Sequence, residues 1–298
     1  MNPGSLDIAA RGLNALLMIA LGLALGAFVA RRWKQPWGLF GIGAVTFVLS
    51  QVAHIPFNAF VLNALFTRLG WTDPTLAGTL VGVAASLGLS AGVFEEGARW
   101  LMFRFWVRKA RRWEEALMIG AGHGGVEAIL LGVLVLYALI QALALQGTDL
   151  ASVVPAGQVE TARLQVEAYW AAPWYAALLG ALERLFALCL HLSLSVLVLQ
   201  AFVRQRWIWL LLAIAWHAFV DGAAVAASQV VGPNWTEALI GVFALLSLAI
   251  VAALRGPAGR TPEPAAGAPP QSRPPIGRQD EPPSVERLDD SRFAPSHG

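Results

Sequence analysis

Seven apolar runs, each long enough to cross a bilayer, constrain the fold of this chain more than any other feature. A helix that crosses about 30 Å of hydrocarbon needs about 20 predominantly apolar residues. A bilayer offers no water to exposed backbone groups, so runs of this length are expected to be helical. The sequence predicts an all-α, polytopic transmembrane bundle of about seven helices, over Leu6–Ala30, Trp37–Phe66, Thr75–Val107, Glu114–Leu145, Pro173–Val203, Trp207–Val231 and Glu237–Leu254.

Composition excludes several other classes of protein. The chain is 57% hydrophobic and only 13% charged, whereas soluble domains have about 25% charged residues. Its single cysteine, Cys189, rules out a disulfide framework or a four-cysteine zinc site. The basic residues lie in short clusters beside apolar runs, so we expect membrane lipid as a partner and no nucleic acid. The predicted location is the cell membrane, as a multi-pass integral protein.

The basic clusters also predict the topology. They follow the first, third, fifth and seventh runs, whereas the alternate connections contain at most one Lys or Arg. The positive-inside rule then predicts an external N-terminus and a cytoplasmic C-terminus. Residues 1–255 form the predicted transmembrane domain, and the core that carries the candidate catalytic residues is expected at about 75–231. Residues 256–298 are rich in Pro, Ser, Gly and charge, a composition that predicts a disordered cytoplasmic tail.

Ten Asp, Glu, Arg or His residues interrupt the third to sixth predicted helices away from their ends. An ionised side chain at a helix centre costs about 2.5–3.5 kcal/mol on insertion scales, so these groups must contact one another or water. His123 and Glu127 are four residues apart, as are His217 and Asp221, so each pair shares a helix face. The ten are Glu95, Glu96, Arg99, His123, Glu127, Glu183, Arg184, His191, His217 and Asp221.

Depth in the membrane suggests that several of these residues form one site. At about 1.5 Å per residue from the basic clusters, Glu95 lies roughly 18 Å deep, His123 roughly 15 Å, His191 roughly 18 Å and His217 roughly 16 Å. Glu183 and Arg184 come out about 10 Å further outward, so they are interpreted as a structural pair near the outer interface. Four helices are therefore expected to deliver side chains to one level.

A buried carboxylate beside several histidines suits two kinds of hydrolysis. The carboxylate can act as a general base on water, with a histidine stabilising an oxyanion. Alternatively, the side chains can bind a metal, for which His123, His191, His217 and Asp221 are the candidate ligands. The sequence leaves both readings open: no cofactor, or a single divalent metal such as zinc.

Four motifs in order resemble a family of intramembrane proteases. Phe94–Arg99 resembles the Glu-Glu motif of the CAAX-protease and PrsW-like superfamily, and Trp216–Asp221 resembles its last motif, a His followed four residues later by Asn or Asp. Gly122–Glu127 and the stretch from Glu183 to His191 make the chain most similar to the YhfC branch. The resemblance covers the third to sixth helices.

This resemblance implies an intramembrane endopeptidase of glutamic or metal-dependent type. Glu95 would be the base, with Glu96 or Arg99 orienting it. His217 would stabilise the oxyanion, with His191 or His123 as a second histidine, and Glu127 would belong to the same catalytic group. The implied substrate is a membrane-embedded or lipidated peptide, and a cytoplasm-facing cavity would suit a lipidated one.

Asp221 departs from the prenyl-processing branch, which has Asn at the matching position. An ionised aspartate would repel an oxyanion, so Asp221 must be protonated, orient His217 or bind a metal. Two other hypotheses stay open. Buried Glu, His and Asp also serve proton- or metal-coupled transporters, and the chain could be a catalytically inactive membrane scaffold.

Overall fold

The computed structural model describes residues 4–73 and 75–255; the predicted tail at 256–298 lies outside these residues. Within them the chain is helical, and seven helices are long and apolar enough to span a membrane. The all-α bundle is therefore confirmed. We number the seven spans α1 Ser5–Trp33, α2 Trp37–Leu69, α3 Ala77–Trp106, α4 Trp113–Ala144, α5 Trp174–Val203, α6 Ile208–Val230 and α7 Pro233–Ala253.

The ends of the helices differ from the predicted ones by up to four residues. The largest shift is at α7, which begins at Pro233 and not at Glu237. Proline is favoured in the first helical turn because its missing N–H has no helical partner there. The segment between α4 and α5, which lies outside the predicted runs, contains short helices at Leu150–Val153 and Val159–Ala171.

Helix α2 accommodates a proline without ending. Pro56 lies inside this helix, and a π-helical stretch, Phe57–Leu62, directly follows that residue. A proline removes one backbone hydrogen bond and crowds the preceding turn, and a widened turn absorbs that strain. The helix then continues to Leu69.

Helix α4 lies at the centre of the bundle. It packs against α1, α2 and α5, while α3 pairs with α6 and α5 pairs with α7. Glycines allow the closest approaches, since a Cβ at Gly43 would collide with the carbonyl of Ile119, and one at Gly122 with the carbonyl of Phe40. These contacts hold α2 against the turn of α4 that carries His123.

Candidate active site

Glu96 and Arg99 form the most deeply buried ion pair of the site. Both side chains are 0% exposed and lie one turn apart on α3. The second carboxylate oxygen of Glu96, Oε1, lies 2.9 Å from Nδ1 of His217 on α6. This network fastens α3 to α6, and it leaves Glu96 no open path to a substrate.

Glu95 points to different partners from those expected. Its Oε2 lies 3.0 Å from Nε2 of His123, and Gln51 donates its side-chain N–H to Oε1 at 3.0 Å. Within the described residues, therefore, His123 and Gln51 orient Glu95, whereas Glu96 or Arg99 was the expected partner. The reason is geometric: Arg99 is already bound to Glu96.

A second carboxylate–histidine pair lies across the cluster. His191 Nε2 is 2.6 Å from Oε2 of Glu127, and Arg184 donates to Oε1 of the same carboxylate at 2.5 Å. If Nε2 carries the proton, Nδ1 of His191 is free to accept or to bind a metal; it faces Arg99 Nη2 at 3.4 Å. Glu127 thus fixes both the orientation and the tautomer of His191.

His217 lies between two carboxylates. Its Nδ1 faces Glu96, and its Nε2 is 3.3 Å from Oδ2 of Asp221. An imidazole that donates at both nitrogens is the protonated form, and two flanking carboxylates favour that form. Of the three roles considered for Asp221, this contact supports the orientation of His217.

Three side chains come close enough to share a metal ion. Candidate donor atoms of Glu95, His123 and His191 all lie within 4.8 Å of one another. This set differs from the expected ligands: Glu95 belongs to it, while His217 and Asp221 lie outside it. One carboxylate and two imidazoles are a donor set that zinc uses in hydrolytic enzymes.

Two further observations fit a bound divalent ion. Histidine ligands usually donate their other ring N–H to a carboxylate, as His191 does to Glu127. Among the described residues, the ion pairs of the cluster join five carboxylates to only two guanidinium groups, and a divalent cation would reduce that excess of acidic groups.

Sequence reasoning missed several residues of the site. Gln51 and His54 lie on α2, outside every motif, and His54 bonds to Gln51, Ser90 and Asn58. Arg184 was placed near the outer interface, yet it bonds directly to Glu127. The depth estimate counted only the rise of the backbone, whereas the long side chain of Arg184 reaches from its own level to that of Glu127.

The side chains border a cavity of about 210 Å³. Its polar wall contains Glu95, Glu127, His191, His217 and Asp221, and its apolar wall comes mainly from α5, α6 and α7. The side chain of Asp221 is 39% exposed, which makes it one of the more open groups of the cluster. The candidate site therefore has space for water and part of a polypeptide.

Comparison with known proteins identifies the family of the chain. A family described as YhfC intramembrane metalloprotease matches residues 17–241, which include every site residue named above. The chain belongs to this family. A YhfC relative from Bacillus subtilis (strain 168), described as an uncharacterized membrane protein, is 32% identical over 217 residues, covering 72% of this chain and 82% of the relative. No solved structure matches the chain.

Membership in the YhfC family confirms the predicted resemblance and the membrane location. The wider link to the CAAX-protease and PrsW-like superfamily stays a prediction. So do the orientation of the termini and the assignment of individual catalytic roles.

Proposed function

We propose that this protein is a metal-dependent intramembrane endopeptidase that hydrolyses a peptide bond of a membrane-anchored substrate. The observation that carries the proposal is the convergence of Glu95, His123 and His191 within 4.8 Å beside a cavity. The family description supports the same chemistry. These three residues would hold one divalent ion, with zinc as the best match to the donor set.

A bound divalent ion would supply Lewis acidity. It would polarise the scissile carbonyl and lower the pKa of a water molecule, so that the water can lose a proton and attack that carbonyl. Residues of the chain orient the side chains that would bind this ion. Glu127 and Arg184 hold the ring of His191, and Gln51 holds Glu95. Oriented groups of this kind save the cost of arranging them during the reaction.

His217 is placed to stabilise the negative charge that develops on the scissile carbonyl oxygen and to protonate the leaving amine. Its Nε2 proton, now near Asp221, lies at the cavity, where it can be donated to an oxyanion or to the leaving amine. Asp221 compensates the imidazolium until that proton leaves, and its carboxylate at the cavity can accept the proton that the attacking water loses. Glu96 and Arg99 hold the opposite side of the same ring in place.

The described residues favour hydrolysis over transport. Between the cavity and the basic loops lies a packed apolar core that includes Phe103, Ile119 and Leu194, each 0% exposed. A transporter needs polar groups that continue toward both sides. We therefore rank a transporter, and an inactive scaffold, below a protease.

The test is proteolysis in liposomes that contain the purified protein and single-span candidate substrates. Glu95→Gln should abolish cleavage while still unfolding in one cooperative thermal transition. Glu167→Gln, the same chemical change on an exposed residue, should leave cleavage unchanged. Full cleavage by Glu95→Gln would refute the proposal.

A further inference from the structure

The cavity lies in one half of the bundle. On α5 its lining residues run from Glu183 to His191, in the first half of that helix. On α6 they run from His217 to Val225, and on α7 from Ile240 to Ala244. Helix α5 begins on the side of the membrane where α6 ends, so these two walls extend from mid-depth toward that same side, while the α7 wall lies at mid-depth. We call the side where α5 begins the long-loop side, because residues 145–173 connect α4 to α5 there.

In the other half of the bundle, which we call the closed half, α3, α4, α5 and α6 meet in a packed apolar core. The helix ends nearest the basic loops form one apolar cluster. Its fully buried members include Phe103, Ile119, Leu194, Val196 and Val198. A separate cavity on that side, lined by Trp100, Arg104 and Phe202 among others, shares no lining residue with the catalytic one. An apolar cavity of about 570 Å³ lies between α2 and α3 on that side, and it neither has a charged lining residue nor shares a lining residue with the polar cavity. A peptide backbone and its water are costly to place in such an apolar space.

Charged groups continue along the open half. Glu183 has a side chain that is 43% exposed, and it pairs with Arg184 on the cavity wall. Glu237, near the start of α7, is close enough to both to interact electrostatically, and its Oε2 is buried with no partner among the described residues. A polar lining of this kind suits a hydrated path and a peptide backbone more than an acyl chain.

We infer that the active site is reached from the long-loop side, so that the substrate is a membrane-anchored polypeptide cleaved in a segment that approaches from the non-cytoplasmic face. The side assignment combines the position of the cavity with the basic loops, which mark the opposite side as cytoplasmic. It replaces the cytoplasm-facing cavity that the family resemblance suggested. The substrate class rests on the proposed protease function; the direction of access does not.

The experiment is site-directed labelling of single cysteines in cells and in inverted membrane vesicles. Cys189 is first replaced by Ser, because it is the only native thiol. Ala224→Cys then places a thiol on the cavity wall of α6. Gly157→Cys reports the long-loop side, and Lys109→Cys reports the basic side. A membrane-impermeant thiol reagent should label Ala224→Cys and Gly157→Cys in intact cells, and Lys109→Cys only in inverted vesicles.

Ala213→Cys is the matched control, because it lies on the same helix, is 0% exposed and belongs to the closed half. It should stay unlabelled in both preparations. Labelling of Ala224→Cys from the side that labels Lys109→Cys, or from neither side, would overturn the inference. Val225→Cys, also on the cavity wall, repeats the test if Ala224→Cys fails to accumulate. If labelling follows the expectation but no substrate is cleaved, only the protease proposal fails.

Discussion

At the scale of single residues, the site depends on which atom each carboxylate and imidazole presents. Adjacent residues on α3 have different tasks: Glu96 is enclosed by Arg99 and His217, while Glu95 faces His123 and the cavity. Neighbouring residues on a helix point about 100° apart, so such a division is expected. The sequence indicated that both glutamates belong to the site, but it left open which carboxylate takes part in the reaction.

Gln51 provides a test of how Glu95 is positioned. Gln51→Ala removes the hydrogen bond to Oε1, and losing an orienting partner of a metal-site residue typically costs about 10–100-fold in affinity or activity. We expect kcat to fall by about that factor with KM little changed, because the substrate does not need Gln51 to bind. Gln141→Ala, an exposed glutamine on α4, is the control; an equal loss in both variants would contradict a positioning role.

Glu127 provides a test that needs no substrate. Glu127→Gln weakens the acceptor that holds the Nε2 proton of His191, and we expect affinity for zinc to fall about 10–100-fold. Competition between the purified protein and a chromophoric chelator measures it. Glu160→Gln, which changes an exposed carboxylate on Val159–Ala171, should bind zinc like the wild type. Unchanged affinity in Glu127→Gln would exclude the assigned role.

At the scale of helices, the seven spans could be predicted because they depend only on length and apolar composition. The packing partners could not. Gln51 and His54 enter the site because α2 lies against α3 and α4, and no local pattern on α2 records that neighbour. Likewise, Pro56 indicates only that the helix must kink, end or widen near it. Which of these occurs depends on the neighbouring helices, and here the helix widens into a π-helical stretch.

A substitution at Gly43 tests whether the close approach of α2 and α4 positions the site. A Cβ there would collide with the backbone of Ile119 and crowd that of His123, whereas Gly41, two residues earlier, has open space. We expect Gly43→Ala to destabilise the protein by about 1–3 kcal/mol, as overpacked interiors do. Gly41→Ala should be neutral or slightly stabilising, because alanine favours a helix more than glycine does.

Thermal unfolding in detergent measures both variants. Equal unfolding temperatures for Gly43→Ala and Gly41→Ala would show that the two helices are not held at the distance described. A loss of zinc affinity in Gly43→Ala alone would further connect this packing to the position of His123.

At the scale of the whole molecule, buried charge connects stability to metal binding. The cluster holds five carboxylates and two guanidinium groups, so a bound divalent ion relieves repulsion that the folded state otherwise contains. A ligand at 100 times its Kd stabilises the folded state by about 2.7 kcal/mol. We therefore expect a chelator to lower the unfolding temperature, and zinc to restore it. Glu95→Gln should respond less to both, and an identical response would assign the effect to another site.

Metal content tests the central claim most directly, because it requires neither a substrate nor an assumption about orientation. Elemental analysis of the purified protein should give close to one divalent ion per chain, and the doubly substituted variant His123→Ala/His191→Ala, folded by the criterion of its unfolding transition, should have lost it. A wild-type protein that stays free of divalent metal after zinc is supplied, or a variant that retains the full content, would contradict a metal site at Glu95, His123 and His191.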